Sequence, residues 1–140
     1  MEEIILSEQQ QQIFDSLIRS CEKIEGDLKT TVSPNHPQEI QNQLETLRPY
    51  YSDVPKMLSQ ATSLYDCAKL QCANAIFKEV DILNAKQNIQ KMWIDGQIRK
   101  YNKLFIRVES VTKKLDKSID TLVSLLSFEK EKIKHNIHQT

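Results

Sequence analysis

The sequence predicts an all-α protein, an elongated helical bundle with a long, coiled-coil-like C-terminal helix. Apolar residues recur at steps of three and four along most of the 140 residues, as on one face of a helix. The chain has only two glycines and four prolines, and no proline falls between residues 84 and 133. No stretch alternates apolar and polar residues between turn signals, as a half-buried strand would. These observations predict one helical domain with almost no strand.

The first helix is predicted over residues 7–32. Ser7 offers a hydroxyl that can cap the free amides of the first turn. Gly26 weakens the pattern locally, and the helix should fray between Thr30 and Ser33, before Pro34. Its apolar face consists of Ile13, Phe14, Leu17, Ile18, Cys21, Ile24 and Leu28.

A second, short helix is predicted over residues 37–48, after a proline-containing loop. Pro37 suits its first turn, where the missing amide costs nothing. Arg48 should end it, because the residue before a proline is pushed out of the helical region. Its apolar stripe is narrow and consists of Ile40, Leu44 and Leu47.

The third helix is predicted over residues 53–79, with Ser52 or Asp53 as its cap and Pro55 in its first turn. The apolar register then becomes irregular, so a break is expected near Asp81 or Asn84, both of which can cap a helix.

The last helix, predicted over residues 84–134, is about 75 Å long at ~1.5 Å per residue. A seven-residue apolar repeat runs along it for more than five heptads, which predicts a left-handed supercoil against a partner. Leu104, Val111, Leu125 and Phe128 should widen this stripe and favour a bundle. We call the repeat the apolar seam: Ile94, Ile98, Tyr101, Phe105, Val108, Thr112, Leu115, Ile119, Leu122, Leu126, Glu129 and Ile133.

Such a helix outreaches any partner within its own chain. The third helix should cover part of the seam, and a second subunit or another protein should cover the remainder. A symmetric dimer through the seam is the expected assembly. Trp93, beside Gly96, is an ordinary core tryptophan, an interface hot spot or the wall of a small-molecule pocket. The predicted interface consists of Trp93, Ile98, Tyr101, Phe105, Val108, Leu115, Ile119, Leu122 and Leu126.

The net charge of zero hides an asymmetry. Residues 1–85 hold seven Lys and Arg against thirteen Asp and Glu, whereas residues 86–140 hold twelve against six. A basic stripe lies opposite the seam, either as a solvated face answered by acidic helices or as a set of phosphate contacts without sequence preference. Its residues are Lys100, Lys103, Arg107, Lys114 and Lys117.

Sequence patterns of catalysis and of cofactor or metal binding are missing. The few glycines argue against phosphate-cradling loops and nucleophile elbows. His135 and His138 have no further ligands at matching spacing, so no metal is expected. The odd number of cysteines, without a two-residue gap, fits reduced thiols and a cytoplasmic location. Neither a signal peptide nor a membrane span is predicted.

The stretch from Leu115 to Lys132 resembles the terminal helix of small helical proteins of phages and mobile elements. Those proteins end in an apolar and serine-containing run followed by a Lys/Glu tail, as residues 122–132 do here. The resemblance implies a role such as counter-defence, genome handling or particle assembly, and it implies no catalytic or binding residues.

Two functions are therefore considered. The first is a non-catalytic interaction protein, a scaffold or inhibitor that binds a partner protein along its helices. The second is a nucleic-acid-binding accessory protein that uses the basic stripe.

Overall fold

The computed structural model describes residues 7–76 and 84–139, with side chains through residue 135. This part of the chain is all-α and contains no strand, which confirms the predicted fold class. It forms four helices: α1 (Glu8–Leu28), α2 (Pro37–Leu47), α3 (Tyr50–Ile76) and α4 (Gln87–Gln139).

Helix α1 begins with a reciprocal cap. The Ser7 hydroxyl accepts a hydrogen bond from the Gln10 amide at 3.2 Å, and the Gln10 side chain accepts one from the Ser7 amide at 3.1 Å. The helix ends at Leu28, four residues before the predicted end. The amides of Lys29 and Thr30 turn back to carbonyls three residues earlier, which tightens the last turn. The β-branched residues that follow do not favour continuation.

The junction of α2 and α3 corrects two expectations. Arg48 keeps a helical backbone, with φ −55° and ψ −39°, although it precedes a proline. The helix ends there because Pro49 has no amide with which to continue the hydrogen-bond ladder. Helix α3 then starts at Tyr50, three residues before the predicted start. Pro49 directly precedes the helix, and Pro55, which was expected in its first turn, lies further inside it. The Ser52 hydroxyl donates to the Pro49 carbonyl at 2.9 Å.

Helix α4 is the common element of the bundle, because it packs against α1, α2 and α3. Phe14 meets Tyr101 edge to face at 5.8 Å between ring centroids, and Glu25 contacts Arg107, so α1 runs in the same direction as α4. Tyr65 stacks on Phe105 at 6.3 Å, while Tyr51, nearer the start of α3, lies beside Asp116 and Asp120. Helix α3 therefore runs antiparallel to α4.

The core consists of two clusters. The larger one joins all four helices along α4 from Leu104 to Leu126. The smaller one lies between the end of α3 and the start of α4, where Phe14 and Trp93 also pack; its buried members are Ala68, Cys72, Ile98 and Tyr101.

The start of α4 lies at Gln87, three residues after the predicted start, and Asn84 falls in a turn just before it. The predicted cap at Asp81 and the predicted end of the third helix at residue 79 lie outside the described residues. Among the helices that are described, none is both long and apolar enough to cross a membrane.

Candidate interaction surface on the C-terminal helix

The predicted interface residues lie in the core of the single chain. Phe105 and Trp93 are half-buried. The others are at most 9% exposed: Ile98, Tyr101, Val108, Leu115, Ile119, Leu122 and Leu126. The expectation that the third helix alone covers the part of the seam buried within the chain is wrong, because α1, α2 and α3 pack on α4 together. The cover is still partial, since Ile133 at the end of the seam is 49% exposed. The seven buried residues leave almost no side-chain surface for a second subunit.

Trp93 packs beside Ile94 against the smaller cluster, as a core tryptophan would. Its indole nitrogen is buried and has no hydrogen-bond partner among the residues that the structure describes. A methyl group added at Gly96 would meet nothing within 4 Å in the described part of the chain. No described helix or ring therefore approaches Gly96 closely.

The exposed side of α4 carries large apolar side chains that the sequence interpretation missed. Met92 is 71% exposed, Ile106 53% and Phe128 58%. Phe128 was expected to widen the buried stripe; Leu104 and Val111 do so, whereas Phe128 faces solvent. The spacing of these residues in the sequence could have shown that they share one side of the helix. Met92 and Phe128 are about ten whole helical turns apart, and Ile106 lies within about 40° of the line that joins them.

Three lysines share this line. Lys103, Lys114 and Lys117 are exposed and lie within about 40° of the direction of Met92 at 3.6 residues per turn. We call the six residues the outward ridge of α4: Met92, Lys103, Ile106, Lys114, Lys117 and Phe128. From end to end it spans about 54 Å at ~1.5 Å per residue.

Two members of the predicted basic stripe contact other side chains of the same chain. The Arg107 guanidinium binds the Glu25 carboxylate on α1, with Nη2 and Oε1 2.8 Å apart. This hydrogen bond raises the pKa of Arg107. Lys100 places its ammonium over the Tyr101 ring, 5.1 Å from the centroid. Lys103, Lys114 and Lys117 take part in no ion pair within the described part of the chain.

Two buried thiols are kept neutral by burial. Burial raises the pKa of the Cys21 and Cys72 thiols, which disfavours the reactive thiolate. The Tyr50 hydroxyl donates a hydrogen bond to Asp27, and burial and that bond raise the pKa of Tyr50 to about 12. This contact ties the start of α3 to the end of α1.

The surface also has shallow hollows. One of about 320 Å³ lies between α1 and α3 and includes Ser16, Lys23 and Lys56 in its lining. Another, of about 550 Å³, is formed by Gln87, Asn88, Gln90, Lys91 and Ile94. Within the ranges that the structure describes, no three His, Cys, Asp or Glu side chains are grouped to hold a metal ion.

The chain matches no protein-family model, no curated protein and no solved structure.

Proposed function

We propose that this protein is a non-catalytic helical interaction protein, a scaffold or an inhibitor, that binds a partner protein along the outward ridge of α4. The observation that carries the proposal is the exposure of Met92, Ile106 and Phe128 on one line of a helix whose opposite face is buried from Ile98 to Leu126. The core does not use these three side chains. Full burial against a partner would contribute about 1.5–3 kcal/mol for each of them.

The lysines of the ridge define the chemistry of this partner. Lys103 stands between Met92 and Ile106, while Lys114 and Lys117 stand between Ile106 and Phe128. A partner surface that fits has apolar hollows separated by carboxylates. The resemblance of the C-terminal helix favours a phage or mobile-element setting, and the three free cysteines fit a reducing compartment such as the cytoplasm.

The test is capture of partners from the native host with the wild type and with a ridge variant, Met92→Ser/Ile106→Ser/Phe128→Ser. A protein partner should be retained by the wild type, survive nuclease treatment and be lost with the ridge variant. It should also bind the purified chain directly. Leu70→Ser is the matched control, because Leu70 is 63% exposed but lies on α3. Equal capture by the wild type and the ridge variant would contradict the proposal.

Nucleic acid is the second candidate, favoured by the exposure of Lys103, Lys114 and Lys117. Three phosphate contacts give a slope of log K against log salt of only about −2.7 on duplex DNA, so binding would be confined to low salt. Retention that disappears with nuclease, and with Lys114→Glu/Lys117→Glu, would favour this candidate over a protein partner.

A further inference from the structure

Helix α1 presents an acidic row to solvent beside α4. Glu8, Asp15 and Glu22 follow one another at seven-residue spacing, and all three are exposed. Asp15 accepts a hydrogen bond from Gln11 on the same helix at 3.0 Å. Arg19 is exposed about 40° round α1 from Asp15, on the side towards α3, and the three carboxylates of the row outnumber it.

On the neighbouring helix α4, cations lie at the same position along the helix axis as the later part of this acidic row. Arg99 and Lys103 are exposed and lie on the outward side of α4. The boundary is marked by the Phe14–Tyr101 ring contact and the Glu25–Arg107 ion pair. Asp15 follows Phe14 directly, and Lys103 lies half a turn beyond Tyr101. Glu22 precedes Glu25 by three residues, and Lys103 precedes Arg107 by four. Asp15 and Glu22 therefore lie at about the height of Arg99 and Lys103, and Glu8 lies nearer the start of α4.

We propose that a second copy of this chain docks on this α1–α4 face, through a two-fold axis parallel to α4. Rotation about such an axis keeps each residue at the same position along the helix direction. It places α1 of one copy opposite α4 of the other. It therefore sets the acidic row of each copy against Arg99 and Lys103 of the other, and every pair occurs twice.

The charges also select this axis over its alternative. A two-fold axis across the helices would place α1 on α1 and α4 on α4, with acid against acid and cation against cation. Like charges so placed repel. The dimer replaces the one expected through the buried seam. Lys103 belongs to the outward ridge as well, so a partner protein bound there would compete with the second copy for this residue. The test below uses the purified chain alone, and its outcome does not depend on that partner.

A charge-swap experiment tests the dimer. The acidic-row variant is Asp15→Lys/Glu22→Lys, and the basic-row variant is Arg99→Glu/Lys103→Glu. Sedimentation velocity at low salt should show a wild-type dimer that weakens as salt rises. Each variant alone should raise the Kd of the dimer by more than about tenfold. An equimolar mixture should form a heterodimer, because both contacts are again between opposite charges.

Lys114→Glu/Lys117→Glu is the matched control. It changes the charge by the same amount as the basic-row variant, but these residues lie on α4 beyond the level of the Glu25–Arg107 pair, past the acidic row. The control should leave the Kd of the dimer within about threefold of the wild type. Circular dichroism checks the folding of each variant. If a reversal unfolds the chain, Asp15→Asn/Glu22→Gln and Arg99→Gln/Lys103→Gln take its place and should also weaken the dimer. A monomeric wild type at low salt, equal disruption by the control, or a mixture that stays monomeric would overturn the proposal.

Discussion

Arg107 on α4 and Glu25 on α1 form the one ion pair between helices among the described ion pairs, and a single carboxylate oxygen takes both contacts. Both Nε and Nη2 of the guanidinium lie 2.8 Å from Oε1 of Glu25. Both side chains are about one-third exposed, at 39% and 32%. The sequence pattern assigned Arg107 to a phosphate-binding stripe, whereas the structure uses it to join two helices.

This pair should stabilise the fold modestly. Glu25→Gln and Arg107→Met each remove the charge and keep most of the volume. A double-mutant cycle from urea unfolding should give a coupling energy of about 0.5–1 kcal/mol that falls as salt rises. A coupling of zero at low salt would mean that solvent separates the pair in solution.

The apolar seam should behave as a core and not as an interface. Leu115 is 0% exposed, so Leu115→Ala should lower the free energy of unfolding by about 2–5 kcal/mol. Phe128→Ala, on the exposed side of the same helix, should change it by less than about 0.5 kcal/mol. Chemical denaturation measures both. Similar small effects at the two positions would contradict the buried seam.

Gly96→Ala should stabilise the protein. Gly96 lies inside α4, has no positive φ and leaves open space where a methyl group would go. Alanine is favoured over glycine in a helix interior by about 1 kcal/mol. The thermal midpoint should therefore rise, with no change in secondary structure by circular dichroism. A lower midpoint would show that another group occupies the space beside Gly96.

Stability should fall in strong alkali through Tyr50. Burial and the hydrogen bond to Asp27 raise its pKa to about 12, above the ordinary value of 10.0. A raised pKa of an acid means that the folded state favours the protonated hydroxyl. The contribution is therefore complete below about pH 10 and is lost as the pH rises from 10 towards 12. Tyr50→Phe should lower stability at pH 7 by about 1 kcal/mol and flatten the alkaline loss. An unchanged alkaline profile in this variant would contradict the assignment.

The three thiols should react at different rates. Cys21 and Cys72 are buried with raised pKa values, whereas Cys67 is only partly buried. A colorimetric thiol reagent at pH 8 should modify about one thiol quickly and the others only on unfolding. Cys67→Ser should remove the fast phase, and Cys72→Ser serves as its control. A fast phase that survives Cys67→Ser would point to opening of the core.

The helices of this fold could be predicted from the sequence because the residues that form each start, stop or repeat signal are close together in the chain. The Ser7 cap, the proline loop before Pro37 and the seven-residue repeat of α4 each depend on a few neighbouring residues. The junction at Arg48 differed because the local preference before proline is weak, and tertiary packing overrides it. The buried positions of the seam also followed from the repeat alone.

The helices that cover the seam could not be predicted, because an apolar repeat identifies a buried face and does not identify the element that packs against it. Helices α1, α2 and α3 surround α4, and that arrangement depends on contacts between residues far apart in sequence. For the same reason the pairing of Arg107 with Glu25, 82 residues away, could not be predicted. The apolar part of the outward ridge was missed because Met92, Ile106 and Phe128 are separated from one another by about four to six helical turns.

The position of α4 at the centre of the bundle has a consequence for synthesis on the ribosome. Helices α1–α3 leave the exit tunnel before the helix against which they pack, and much of the larger cluster lies on α4. Until residues 104–126 emerge, the apolar faces of the first three helices lack their main cover. The nascent chain therefore exposes Leu17, Leu44 and Leu64 to chaperones and to other nascent chains, and cooperative folding must wait for its last third.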